Sequence, residues 1–141
     1  GITRMLDMGV EDYLLTSTVN GILAQRLVRR LDREHAEPYT PTPEVIAQLG
    51  LERFTDARPV RLYHPRPSAA NPSGYFGRTT IMEFLVMSDA IRRQVMNHAG
   101  MSDIEEEARR EGMRTMYEDG LVKSLQGVTT IEEVLRVTQE D

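Results

Sequence analysis

The sequence predicts a small α/β fold, mostly helical, in which a proline-rich irregular insertion interrupts the sheet-forming part and a helical subdomain closes the chain. Three observations carry this. Apolar or small residues at Met113, Met116, Tyr117, Gly120, Leu121, Leu125 and Val128 recur at three- and four-residue steps, the stripe of an amphipathic helix. All seven prolines (Pro38, Pro41, Pro43, Pro59, Pro65, Pro67 and Pro72) fall between Asp32 and Ser73, a density that breaks regular structure. Arg78 to Met87 is rich in Thr, Ile, Phe and Val, the composition of a strand.

Taken in order, Gly1 to Leu31 reads as helical. Ile2, Met5 and Leu6 make one short apolar face ended at Gly9, and Leu15, Val19, Ile22 and Leu23 follow at helical steps. Leu27 and Leu31 could continue that helix, but Leu23 to Arg30 fits a strand equally. Within the insertion, Thr42 as N-cap, Pro43 at the first helical position and Gly50 just past the end frame a short helix carrying Val45, Ile46 and Leu49. The rest of the insertion reads as an extended surface excursion. Proline stiffens it by lowering the entropy of the unfolded loop, and Tyr39, Leu49, Leu51, Phe54 and Tyr63 are its packing residues.

Beyond the strand, Ser88 or Asp89 begins a helix bearing Ile91 and Val95, with His98 near its end as a C-terminal dipole partner. Gly100 separates it from a second helix, capped by Ser102 with Glu105 at the capping-box position. Asp103, Glu105, Glu106 and Glu107 near the start of that helix and Arg109 and Arg110 near its end complement the helix dipole, which explains these charges without an active site. Gly127 stops the helix of the long apolar stripe. Thr129 or Thr130 then caps a last one, with Glu132 or Glu133 to close a capping box and Ile131, Val134 and Leu135 as its buried side.

Composition removes several function classes. The 141 residues include no cysteine, so disulfides and thiolate metal sites are excluded. No stretch approaches the roughly 20 apolar residues of a membrane span, and the N-terminus lacks the layout of a secretory signal. A net charge of −5 argues against nonspecific nucleic-acid binding, which needs clustered positive charge to neutralise phosphates. Lys123 is the only lysine; it is followed by Ser124 but preceded by Val122, so it does not make the glycine-lysine-hydroxyl step of a P-loop, and its place in an amphipathic helix marks it as a solvated lysine. No Ser, His and Asp arrangement and no carboxylate pair stands apart from the helix-cap acids.

Two basic constellations remain. Arg26, Arg29, Arg30 and Arg33 fall at helical spacing. Their guanidinium forks could meet phosphate or an acidic face of a neighbouring subunit, or form a solvated edge paired with Asp32 and Glu34. Arg78 and Thr79 follow Gly74 and Gly77, whose plainest role is to allow tight turns at the strand entrance; Arg78 could bridge the insertion to the core or face a neighbour.

The words themselves say more. MRT, EDGL and TTIEEVLRVT near the end, GILAQRLVRRL at Gly21 to Leu31, GYFGRTTIMEFL at Gly74 to Leu85 and the opening GITRMLDMGVEDYLL occur in the order and at the spacing found in the ATPases of type II secretion and type IV pilus assembly, and the chain closely resembles their C-terminal part. The resemblance implies the C-terminal remnant of a RecA-like P-loop ATPase domain. Residues 1–31 and 74–87 would be its last elements, 32–73 an insertion, and 88–141 a C-terminal helical subdomain. It implies that the P-loop, the Walker B acid and the histidine box lie upstream of Gly1, so that the parent uses ATP and magnesium while this piece alone is inactive and binds no cofactor. It also implies a cytoplasmic hexamer, peripheral at the bacterial inner membrane through a platform protein and the cytoplasmic domain of a secretion membrane protein, with no nucleic-acid partner and no membrane insertion of its own. Gln25, Arg26, Arg78 and Arg114 are the residues expected to contact nucleotide or a neighbour, and none is expected to be catalytic. Type II secretion fits better than pilus assembly, and retraction ATPases, which generally lack the insertion, fit less well. A stand-alone helical interaction module descended from the same end is the alternative.

The insertion departs from the family pattern. In many of these ATPases it is a zinc module with two CxxC pairs. Here Asp32 and His35 stand in the first pair's places and Pro67 and Ala70 in the second's, with His64 as a stray. A structural zinc site needs four N or S ligands, so zinc is expected to be absent.

Overall fold

A computed structural model describes residues 20–139; the helix read over Ile2 to Val19 lies outside them. The described residues form five α-helices and two two-stranded sheets, in two compact units, one of residues 20–24 and 83–115 and the other of residues 25–82 and 116–139. The order is β1 (Gly21–Leu31), β2 (Glu37–Tyr39), α1 (Pro43–Leu49), a 3-10 turn (Leu51–Arg53), β3 (Leu62–His64), β4 (Tyr75–Val86), α2 (Asp89–Met96), α3 (Met101–Arg110), α4 (Met116–Leu125) and α5 (Ile131–Thr138).

Of the two readings open for Leu23 to Arg30, the strand is the one found and the helix is not: residues 21–31 form β1, paired with β4. The pairing is antiparallel, since Met87 N–H donates to the Asn20 carbonyl at 2.9 Å at one end and Asp32 N–H to the Gly74 carbonyl at 3.3 Å at the other. The helical spacing of leucines arises because both faces of the strand carry apolar residues. Ile22 packs against one core and Val28 is buried in another, while Leu23 and Leu27 are 53% and 52% exposed. The arginine spacing loses its helical meaning with it. Arg26, Arg29 and Arg30 lie on β1, and Arg33 in the turn that follows.

In the first unit, α2 and α3 pack against each other and against the strand ends. Leu85, Met87, Ile91, Val95, Ile104 and Ala108 form the core. Ser88 caps α2 by accepting from Ile91 N–H at 3.2 Å. The expected Ser102 cap of α3 is not found: Gly100 is the N-cap and makes no side-chain cap bond, so Ser102 is already inside the first turn and Glu105 reaches Arg109 at 3.9 Å instead of closing a box. A glycine at this position satisfies the N-cap dihedrals nearly as well as serine.

In the second unit the insertion is not a surface excursion. Leu51, Val60 and Leu62 are buried with Leu121 of α4 and Ile131 of α5, and Tyr39, Ile46, Leu49, Phe54, Leu125 and Leu135 pack around them. Thr42 caps α1 by accepting from Val45 N–H at 3.3 Å, and Gly50 ends it in the left-handed region, as the local pattern predicts. β2 and β3 pair antiparallel, Pro38 opposite Tyr63. A second cluster, Val28, Ile81, Val134 and Val137, sits between the β1–β4 ribbon and α5. Burying each such side chain contributes roughly 1.5–3 kcal/mol. Helices α4 and α5 approach closely at Gly120, where a Cβ would lie 2.5 Å from a methyl of Val134. No helix among the described residues is long and apolar enough to cross a membrane.

Candidate functional site

A two-stranded ribbon has two outer edges, each with backbone groups that need partners. Within the second unit both edges are met by α4, α5 and the segment that joins them. On β1, Arg29 N–H donates to Oε1 of Glu133 at 2.7 Å, the Arg29 carbonyl accepts from Thr129 Oγ1 at 2.7 Å, and Leu31 N–H donates to the Val128 carbonyl at 2.9 Å. On β4, Met82 N–H donates to Oδ2 of Asp119 at 2.9 Å, and the Thr80 carbonyl accepts from Lys123 Nζ, which also pairs with Asp119 at 3.0 Å. The reading of Lys123 as a solvated helix lysine is therefore corrected. Its helix faces the strand edge, and its charge compensates a buried Asp119.

Glu133 is the centre of the first clamp. Thr130 caps α5 by accepting from Glu133 N–H at 3.2 Å, but the Glu133 carboxylate turns to the strand. Besides Arg29 N–H it accepts from Arg29 Nη2 and from Arg136 Nε and Nη2, each at 3.1 Å, with its side chain 2% exposed. Burial alone would raise its carboxyl, but the hydrogen bonds from Arg136 and Arg29 outweigh that and hold it at about 2. The Arg29 guanidinium lies 4.2 Å over the ring of Tyr75, whose hydroxyl meets Thr130 Oγ1 at 2.9 Å. Arg29 thus pairs across the unit with Glu133, not with Asp32 or Glu34. A carboxylate so saturated with donors is no general base; the arrangement is a latch, not a catalytic centre.

The expected contact residues are placed as follows. Gln25 and Arg26 lie on β1 and Arg78 on β4, so these three share the ribbon; Gln25 and Arg78 are exposed and Arg26 half-buried. Arg114 is exposed in the connection before α4 and belongs to the other unit. Sequence reasoning missed Glu133, Asp119, Thr129 and Tyr75. The only signal was the Thr-Thr-x-Glu-Glu word, which the capping box already explained.

The insertion's metal places hold a different chemistry. His35 Nδ1 and Asp32 Oδ2 lie 3.0 Å apart, and His64 stacks on Tyr39 with ring centroids 3.8 Å apart. Pro67 and Ala70 offer no side-chain donor. Among the described residues no group of three or more His, Cys, Asp or Glu could hold a metal ion. A surface hollow of about 270 Å³ near Thr55, Pro59, Arg61 and Tyr63 is also lined by Arg58, whose guanidinium is committed to Glu52 at 3.1 Å and to the Thr55 and Ala57 carbonyls.

The chain belongs to the type II/IV secretion system protein family, whose model matches residues 1–136. It is 65% identical over 140 residues to the type II secretion system protein E of Xanthomonas campestris pv. campestris, covering 99% of this chain and 25% of that protein. It is 42% identical to the type IV pilus assembly ATPase PilB of Thermus thermophilus over 140 residues, 99% of this chain and 16% of that protein, and 42% identical over 141 residues to the type II secretion system protein E of Pseudomonas aeruginosa, 99% of this chain and 27% of that protein. The chain thus spans about a quarter or less of the length of these relatives.

Proposed function

We propose that this chain is the C-terminal portion of the ATPase that powers type II protein secretion, coupling ATP hydrolysis to pseudopilus assembly. The observation that carries the reading is the 65% identity over 140 residues to a type II secretion system protein E. Pilus assembly is the second reading, favoured by the likeness to the Thermus pilus ATPase at 42%. A non-catalytic interaction module from the same family end is the third.

In this reading β1 and β4 are the last strands of a RecA-like domain, 32–73 is its insertion and 88–141 its helical end. ATP and magnesium are held by the rest of the parent, since no P-loop occurs in this sequence. Exposed apolar side chains support a larger body around the ribbon: Leu23, Phe84, Val86 and Met96 in one unit, and Leu27, Phe76 and Met82 in the other. Gln25, Arg26, Arg78 and Arg114 are the residues we assign to contacts with nucleotide or a neighbouring subunit, their guanidinium forks suiting oxyanions. The parent is a cytoplasmic hexamer held at the inner membrane by a platform protein and the cytoplasmic domain of a secretion membrane protein, and the insertion is zinc-free.

The test is ATP hydrolysis by the full-length parent with and without its last helices. Magnesium-dependent turnover by the full-length protein, lost or reduced on truncation while this chain alone is inactive, is the expected result. A parent without turnover in which these residues still bind a secretion partner would replace the motor with the interaction module.

A further inference from the structure

The hollow of about 270 Å³ beside β3 lies wholly within the second unit, where the insertion meets the end of α4. Leu62 is buried in the core, so the alternation of an extended chain turns Arg61 and Tyr63 the other way, and both line the hollow. Leu125, the last residue of α4, is half-buried and joins Pro59 in an apolar wall. The Tyr63 ring lies against the turn after α4, which Gly127 permits: a Cβ there would sit 3.3 Å from the ring.

The polar groups of the hollow are unevenly committed. Its carbonyl acceptors are taken, since Arg58 Nη1 donates to the Thr55 carbonyl at 3.2 Å and to the Ala57 carbonyl at 2.8 Å. Thr55 Oγ1 accepts from Ala57 N–H at 3.1 Å, which leaves its hydroxyl hydrogen free to donate. Arg58 is balanced in charge by Glu52 at 3.1 Å. Arg61 is exposed and has no carboxylate partner among the described residues. The negative pole at the nearby end of α4 is blunted, because the Val122, Lys123, Ser124 and Gln126 carbonyls accept from Gln126 N–H, Val128 N–H, Gly127 N–H and Arg33 Nη2. What remains is one uncompensated positive charge, spare donors and an apolar wall.

We propose that this hollow is a docking pocket for an acidic peptide segment of a partner protein, a carboxylate side chain meeting Arg61 and the Thr55 hydroxyl while a neighbouring apolar side chain rests on Pro59, Tyr63 and Leu125. Charge complementarity selects the first half of that occupant, since a guanidinium fork holds a carboxylate by paired N–H donors. The apolar wall selects the second half, because an inorganic anion would leave it uncovered. Size points the same way. Small-molecule pockets run from roughly 300 Å³ upward, so a hollow of about 270 Å³ suits one or two side chains better than a nucleotide. Such docking is independent of which machine the parent drives.

The test is fluorescence anisotropy at neutral pH, with this chain in dilute solution and a labelled, end-capped tetrapeptide of alternating leucine and glutamate as the probe. The same peptide with glutamine in place of glutamate and inorganic phosphate as a competitor are the comparisons. The glutamate peptide should bind saturably and the glutamine peptide about tenfold more weakly, the loss expected for a charge-assisted pair. Arg61→Gln should weaken the glutamate peptide by a similar factor and leave the glutamine peptide unchanged. Arg61→Lys, which keeps the charge without the fork, should fall between, and Arg30→Gln, an equal charge change at an exposed site on β1, should have no effect. Circular dichroism reports whether each variant is folded. Absence of saturable binding, equal affinity for the two peptides, or equal losses in Arg61→Gln and Arg30→Gln would each overturn the pocket. Complete displacement by inorganic phosphate would also overturn it, by marking a site for free anions.

Discussion

At the scale of single residues, Glu133 shows how one position can do two jobs. Its backbone N–H completes the Thr130 cap while its carboxylate holds the edge of β1. Because its folded-state carboxyl is held at about 2, below the ordinary 4.5, its ionised form stabilises the fold fully above the unfolded value, and that stability is lost as pH falls from about 4.5 towards about 2. The shift corresponds to roughly 3 kcal/mol. Glu133→Gln is therefore expected to lower unfolding free energy by about 2–3 kcal/mol at pH 7, and urea titrations repeated near pH 2.5 should show the gap between variant and parent closing. A gap that persists unchanged in acid would mean that packing, not charge, holds α5. This role was hidden in the sequence because an acid three residues after a threonine already has a sufficient local explanation. Lys123 and Asp119 were hidden similarly, since an acid and a lysine four apart on a helix ordinarily make a surface pair, and only the position of β4 shows them to be facing Met82 and Thr80.

Among elements, what was legible was what is encoded locally. α1 was readable from Thr42, Pro43 and Gly50, α2 from Ser88, and α5 from Thr130, because a cap is decided within four residues. β1 was legible only as one of two alternatives, because Leu23 and Leu27 on its exposed face fill in the alternation and imitate a helical step. The contribution of Val60 and Leu62 to the core was not legible, since prolines mark broken structure without saying whether the broken segment is buried. The contact between α4 and α5 gives a sharp prediction. Gly120→Ala would put a methyl within 2.5 Å of Val134, so despite alanine's better helix propensity the variant should be destabilised by about 1–3 kcal/mol. Thermal unfolding checks this, and Val134→Ala in the same chain should recover part of the loss; a Gly120→Ala variant as stable as the parent would show that the helices can move apart freely.

For the whole molecule, the family was legible from words scattered along most of the chain, whereas the candidate contact residues were legible only as residue types. The structure puts Gln25, Arg26 and Arg78 on one ribbon. Leu23, Phe84 and Val86 are exposed in one unit and Leu27, Phe76 and Met82 in the other, apolar surface of the kind that drives association. The chain expressed alone is expected to self-associate, with light scattering showing a mass that rises with concentration, and Phe84→Lys should weaken that rise. A clean monomer at high concentration would count against it.

The clamp on β1 also bears on what happens when synthesis or proteolysis stops short. A chain ending before Val128 would lose the Val128 carbonyl, the Thr129 hydroxyl and the Glu133 carboxylate together, leaving the N–H and C=O of Arg29 and the N–H of Leu31 without their partners. Such a product would be more than a weakened fold. It would offer a bare strand as a template for another chain, so the last twelve residues of the described structure, 128–139, guard against aggregation as much as they add stability.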